Sequence, residues 1–251
     1  MRQIEQLVNQ QVLRWTEEQR LASRPPPPRA DTPRPVICIS RQFGAQAGEL
    51  AQEVAAHFNF SVCDQDLVEQ VARQAHVRRR VVESLDERVQ TGIQQWVDEL
   101  IELNRFRPSD YLRNLSEVVL TMGRHGRSVI IGRGAHVILD PTYTLRVRCY
   151  APFAWRSQQV AARHGLSLAR AESLTLRVDA ERSAFYREHF DADVADPLRF
   201  DLLLNVSTMP LETRSAIVAA AFEAKFPEYA RAPVSGIRHA VPNETPEQKT
   251  G

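Results

Sequence analysis

Val36-Ile37-Cys38-Ile39-Ser40-Arg41-Gln42-Phe43-Gly44-Ala45-Gln46-Ala47-Gly48-Glu49-Leu50 is the stretch on which the fold turns. Val36 to Ile39, bounded by Pro35 and Ser40, has no polar alternation and reads as a short strand buried on both faces. A loop with two glycines follows, and Leu50, Ala51, Val54, Ala55 and Phe58 then recur at helical spacing. Strand, tight loop, helix is the frame of a phosphate-binding loop, in which backbone N–H groups at a helix N-terminus face an anion. The usual lettering of that frame is G-x-x-x-x-G-K-S/T. Here Arg41 and Gln46 fall at its glycines, Ala47 at its lysine and Gly48 at its hydroxyl residue.

Outward from this stretch, residues 1–24 carry Ile4, Leu7, Val8, Val12 and Trp15 on one helical stripe, which predicts an amphipathic helix over 3–20. So short a helix is marginal alone, so the stripe docks on the domain or on a second copy, giving a homo-oligomer. Residues 25–35 hold Pro25–Pro28, Pro33 and Pro35 and read as a stiff spacer or a proline-rich ligand. Residues 36–230 form the main domain, with strands expected near 36–40, 60–63, 128–132, 145–150 and 201–206. A helical insertion is expected over 75–126, including one long helix from about Val81 to Leu103. Further helices are expected near 153–164, 168–190 and 211–226, and a disordered tail over 231–251. Alternating strands and helices predict an α/β fold: a parallel sheet of about five strands with helices on both faces.

The formal net charge of +1 gives no electrostatic case for nucleic acid or an anionic membrane, and no run reaches the ~20 apolar residues of a membrane helix. The first 24 residues lack the apolar core of a secretory signal. Cys38, Cys63 and Cys149 are widely spaced in apparent strands and suit free thiols in a reducing cytoplasm. The seven histidines show no ligand spacing and give no metal site.

Ligands of parallel sheets bind beyond the strand C-termini, and the 40–48 loop, Asp64 and Gly132-Arg133-Gly134 all fall there. The order Ile39-Ser40-Arg41-Gln42 with its glycine loop, Asp64-Gln65-Asp66-Leu67 and Gly132-Arg133-Gly134-Ala135 resembles the cytidylate kinase-like family. So do Tyr150-Ala151-Pro152 with Arg156, the pair Asp179 and Arg182, and Asp196-Pro197 before Phe200-Asp201-Leu202. The resemblance covers roughly residues 36 to 226. It implies a P-loop kinase fold that moves the terminal phosphoryl group of ATP, with Mg2+, to a nucleoside monophosphate or similar small acceptor. By that resemblance Ser40, Arg41, Gly44, Ala45, Gln46, Ala47 and Gly48 hold the donor phosphates, Arg133 reaches the acceptor, and Arg156, Asp179 and Arg182 match the lid and the helix behind it.

The departures point the other way. Gly44-Ala45-Gln46-Ala47 replaces the Gly-Ser-Gly-Gly common in the family, Glu49 puts a negative charge where triphosphate would lie, and Gly134 stands where cytidylate kinases proper carry aspartate. Slow or absent transfer from ATP to cytidine monophosphate is therefore expected, and a nucleotide- or anion-binding regulatory protein on the same fold is the alternative. At residue level, Arg41 either replaces the missing lysine or pairs with Asp64 or another strand-end carboxylate. Asp179 and Arg182 either meet phosphate or form an intrahelical salt bridge.

Overall fold

The computed structural model describes residues 34–85, 87–102 and 109–230, together with Gln6, Gln10, Val12, Leu13 and Trp15. Strands β1 (Val36–Arg41), β2 (Ser61–Cys63), β3 (Ser128–Ile131), β4 (Thr144–Tyr150) and β5 (Leu202–Asn205) form one parallel sheet in the order β2-β3-β1-β4-β5. The central strand is β1, with Ile37 in register with Val129 on one side and Leu145 on the other. The expected α/β architecture is thus present, with every predicted strand in place.

Because strand side chains alternate, β1 serves two cores. Ile37 and Ile39 join Val129, Ile131, Leu145 and Val147 beneath helices α1 (Ala47–Phe58) and, from the far end of the chain, residues 211–225. Val36 and Cys38 face the other way, toward α2 (Gln65–Arg73), α3 (Ala75–Val82), α4 (Glu87–Glu102) and α5 (Asp110–His125). Then come α6 (Ala135–Ile138), α7 (Phe153–His164), α8 (Leu168–Phe190), α9 (Leu211–Lys225) and α10 (Pro227–Ala230). All three cysteines are buried free thiols, and burial pushes each above the ordinary thiol range.

The long helix expected over 81–103 starts later: Val81 and Val82 end α3, and α4 runs from Glu87 to Glu102. The apolar spacing runs unbroken through the junction, but at Ser84 local bonds replace the helical ladder. The Ser84 hydroxyl bonds the Val81 carbonyl at 2.5 Å, and the N–H groups of Ser84 and Leu85 donate three residues back rather than four. Gln90 Nε2 then caps the Leu85 carbonyl at 2.7 Å. The excursion between β2 and β3 therefore holds α2, α3, α4 and α5, helices of 8 to 16 residues packed over one face.

Gln6, Gln10, Val12, Leu13 and Trp15 are helical. Trp15 is buried, its ring stacked on His125 at 4.0 Å, and Val12 packs against the same core. Ile4, Leu7 and Val8 lie outside the described residues, as do the spacer before Arg34 and the tail from residue 231. No helix among the described residues is long and apolar enough to cross a membrane.

Candidate functional site

Beyond the C-terminal end of β1 the chain makes the expected tight loop into α1. Gly44 has φ +79°, and α7 lies directly on it: a Cβ there would sit 2.7 Å from the Arg156 carbonyl oxygen. Gln46 caps α1 in the left-handed region with no side-chain bond to the helix. The first helical bond runs from Leu50 N–H to the Gln46 carbonyl, so the N–H groups of Ala47, Gly48 and Glu49 have no acceptor within the helix. These N–H groups and the positive end of the helix suit an anion. Ser40, Ala45 and Ala47 are buried in the cradle, and Gly48 is exposed.

Arg156 and Asp179 hold this loop from outside. Asp179 Oδ1 accepts the Phe43 N–H at 2.8 Å, and its Oδ2 meets Arg156 Nη1 at 2.6 Å. Arg156 Nη1 also donates to the Phe43 carbonyl at 2.9 Å, and its Nε donates to the Ala151 carbonyl. Both polar groups of one loop residue are thus clasped by α7 and α8. The intrahelical bridge between Asp179 and Arg182, one of the two sequence readings, is replaced by this long-range clasp.

Arg41 and Arg182 sit differently. Arg41 Nη2 donates to Gln65 Oε1 at 2.7 Å, and Arg182 Nη1 donates to the Arg41 carbonyl at 3.2 Å. The Arg182 guanidinium lies over the Phe43 ring. Neither has a carboxylate in hydrogen-bonding contact among the described residues. Asp64 instead caps α2 through the Leu67 N–H, so the alternative pairing of Arg41 with Asp64 does not form. Burial lowers the pKa of Arg41; burial, with Arg41 alongside, brings Arg182 down to about 10. Arginine stays protonated at neutral pH in a folded protein, so both are cations held without a carboxylate in hydrogen-bonding contact among the described residues.

At the end of β3, Gly132, Arg133 and Gly134 all have positive φ. A Cβ at 132 would strike the Arg41 guanidinium, and one at 134 the Phe190 ring, so an aspartate has no room at 134. A left-handed arginine is a strained choice, kept where the side chain is needed in one direction. Arg133 Nε lies 3.0 Å from Glu69 Oε2, yet its N–H is not aimed at that oxygen and makes no hydrogen bond. Glu69 already accepts from the Tyr111 hydroxyl at 2.7 Å and from Arg73; burial would raise its pKa, but these bonds lower it.

Two spaces meet here. A cleft of about 760 Å³ runs along residues 41–49 beneath α7, between Asp66 and Arg163. A pocket of about 360 Å³ lies between β3 and α8, walled by Ser40, Gln65, Arg133, Glu181, Phe185 and Tyr186. Arg41 and Arg182 line both. The structure therefore gathers Ser40, Arg41, Arg133 and Arg182 around the pocket, and sets Arg156 and Asp179 behind the loop. Phe185 and Glu181 were missed in the sequence, although Val178, Glu181, Arg182 and Phe185 fall on one helical face.

The cleft offers an anion three N–H groups with no acceptor within the helix and two arginines with no carboxylate in hydrogen-bonding contact among the described residues. Residues 47–49 are Ala, Gly and Glu, so the start of α1 supplies no hydroxyl to a magnesium ion, and the carboxylates lining the cleft are Glu49 and Asp66.

Comparison with known proteins agrees with the geometry. A cytidylate kinase from Methanocorpusculum labreanum is 36% identical over 93 residues, 37% of this chain and 52% of that protein. The chain thus spans about half the length of this curated relative. A solved structure of an uncharacterized protein from Eubacterium ventriosum matches 76% of this chain and 99% of its own, with a TM-score of 0.60 at 16% identity, a likeness of fold. The family model described as the cytidylate kinase-like family matches residues 36–208, which takes in all five strands, the loop, Arg133 and the α7–α8 clasp, and the chain belongs to that family.

Proposed function

We propose that this chain is a phosphotransferase that holds the phosphates of ATP in the cleft along residues 41–49 and passes the terminal phosphoryl group to a nucleoside monophosphate, or an acceptor of similar size and charge, in the adjoining pocket. The observation that carries this reading is the shared wall: Arg41 and Arg182 line both spaces and have no carboxylate in hydrogen-bonding contact among the described residues. Phosphoryl transfer draws its rate from positioning and from cations placed where charge is passed, so cations belong at that junction. The pocket volume of about 360 Å³ also suits a small ligand.

In this reading the N–H groups of Ala47, Gly48 and Glu49 hold the donor, with Ser40, Gly44, Ala45 and Gln46 shaping the cradle. Arg41 and Arg182 stabilise the phosphoryl group between the two sites, and Arg133 orients the acceptor. Arg156 and Asp179 act through Phe43 by fixing the loop. With no lysine and no hydroxyl at residues 47–49, turnover is slow. A nucleotide-binding regulator without transfer is the second reading, favoured by the Glu49 carboxylate in the donor cleft.

The test is transfer from γ-labelled ATP to each nucleoside monophosphate. Transfer to one of them, cut about a hundredfold by Arg133→Ala or Arg182→Ala, supports the phosphotransferase. ATP binding without transfer to any acceptor supports the regulator.

A further inference from the structure

Gln46 and Glu49 look in the sequence like plain losses from a phosphate loop. The structure gives each a partner on the same face of α7. Gln46 Nε2 donates to Gln159 Oε1 at 3.0 Å, and Arg163 Nη1 meets Glu49 Oε1 at 2.6 Å. One turn earlier, Arg156 and Val160 press on Gly44. Residues 156, 159, 160 and 163 thus form one helical stripe laid along the loop. Glu49 and Arg163 both line the donor cleft, and the second oxygen of Glu49 is buried with no hydrogen-bond partner. A carboxylate at the first turn of a helix occupies the electrostatic position that a phosphate would take.

We propose that Arg163 is a phosphate-binding residue of the donor cleft, held in reserve by Glu49 until a ligand phosphate replaces that carboxylate as its counter-ion. The inference rests on the reading that this cleft holds donor phosphates. It assigns Glu49 the part of an internal competitor: it neutralises Arg163 in the free protein and repels the triphosphate that must take its place. The exchange moves no proton and breaks no covalent bond. It is a swap of one anion for another on the same guanidinium, with the Gln46–Gln159 bond keeping α7 over the loop.

The experiment is calorimetric titration of the full chain with ATP, for wild type, Glu49→Gln, Arg163→Ala and the double variant. Glu49→Gln should bind ATP about tenfold more tightly, Arg163→Ala about tenfold more weakly, and the double variant should lose the gain made by the single one. The ligand-free melting temperatures should differ little, because the ion pair is largely exposed. ATP binding by the wild type that Glu49→Gln does not tighten overturns the proposal and leaves the donor site standing. Binding unchanged in Arg163→Ala does the same. Absence of ATP binding in both wild type and Glu49→Gln overturns the proposal and the donor-site reading together.

Discussion

Arginines in this site divide by what they touch, and the division has measurable consequences. Arg156 is buried and satisfied by a carboxylate and two carbonyls. Asp179→Ala would leave that cation and the Phe43 N–H without their acceptor, at a cost of about 2 kcal/mol. A lower urea midpoint is the expected result, and an unchanged one would mean the clasp is not holding the loop. Arg182 is under-compensated, so Arg182→Ala should leave the melting temperature unchanged or raised while weakening ATP binding about tenfold or more. Loss of stability without loss of binding would assign Arg182 to structure. Sequence alone reveals part of this. Arg133 between glycines and the loop at 40–48 stand out through residue type and strand-end position. The partners of Asp179 do not, because Phe43 is 136 residues away and its contribution is a backbone N–H.

The elements were mostly legible, because buried parallel strands are continuous apolar runs and the surrounding helices carry a periodic stripe. The failure at residues 83–85 has a local cause. Val81, Val82, Leu85 and Val89 keep helical spacing across it, and no glycine or proline marks the break, which is made by serine bonding to its own backbone. The same Ser84 hydroxyl lies 2.7 Å from His125 Nε2, which places the break beside the ring that Trp15 covers. Trp15 therefore ties the N-terminal helical residues to the end of α5. Trp15→Ala should cost about 3 kcal/mol, read as a lower urea midpoint. A midpoint equal to that of the wild type would show that this stack contributes nothing to the fold.

Across the whole molecule, acid should act in two stages. Burial brings His125 down to about 4 and His136, with Arg148 nearby, down to about 3, from an ordinary 6.5. The unfolded chain binds these protons first, so stability present above about pH 6.5 is lost as the pH falls toward 4. Asp201 follows: partial burial opposes its charge, but bonds from Arg146 and Lys225 hold it at about 2 against an ordinary 3.8. Its contribution is present above about pH 4 and is lost as the pH falls through about 2. Urea midpoints measured from pH 7 to about pH 2 should decline in the upper window for wild type and Asp201→Asn alike. In the lower window the decline should be shallower for Asp201→Asn, and identical profiles would remove Asp201 from this role. At this scale the sequence supplied the alternation of strands and helices but not the meeting of two spaces at one pair of arginines, which exists only once β1 and α8 are folded together. The direct measurement of that meeting is the affinity of a bisubstrate compound in which cytidine and adenosine are joined through a polyphosphate chain. A ligand filling both spaces should bind at least about tenfold more tightly than ATP or cytidine monophosphate alone, and lose that advantage in Arg41→Ala and Arg182→Ala. Affinity no better than that of ATP, or an advantage that survives both substitutions, would contradict a single phosphoryl-transfer junction at Arg41 and Arg182.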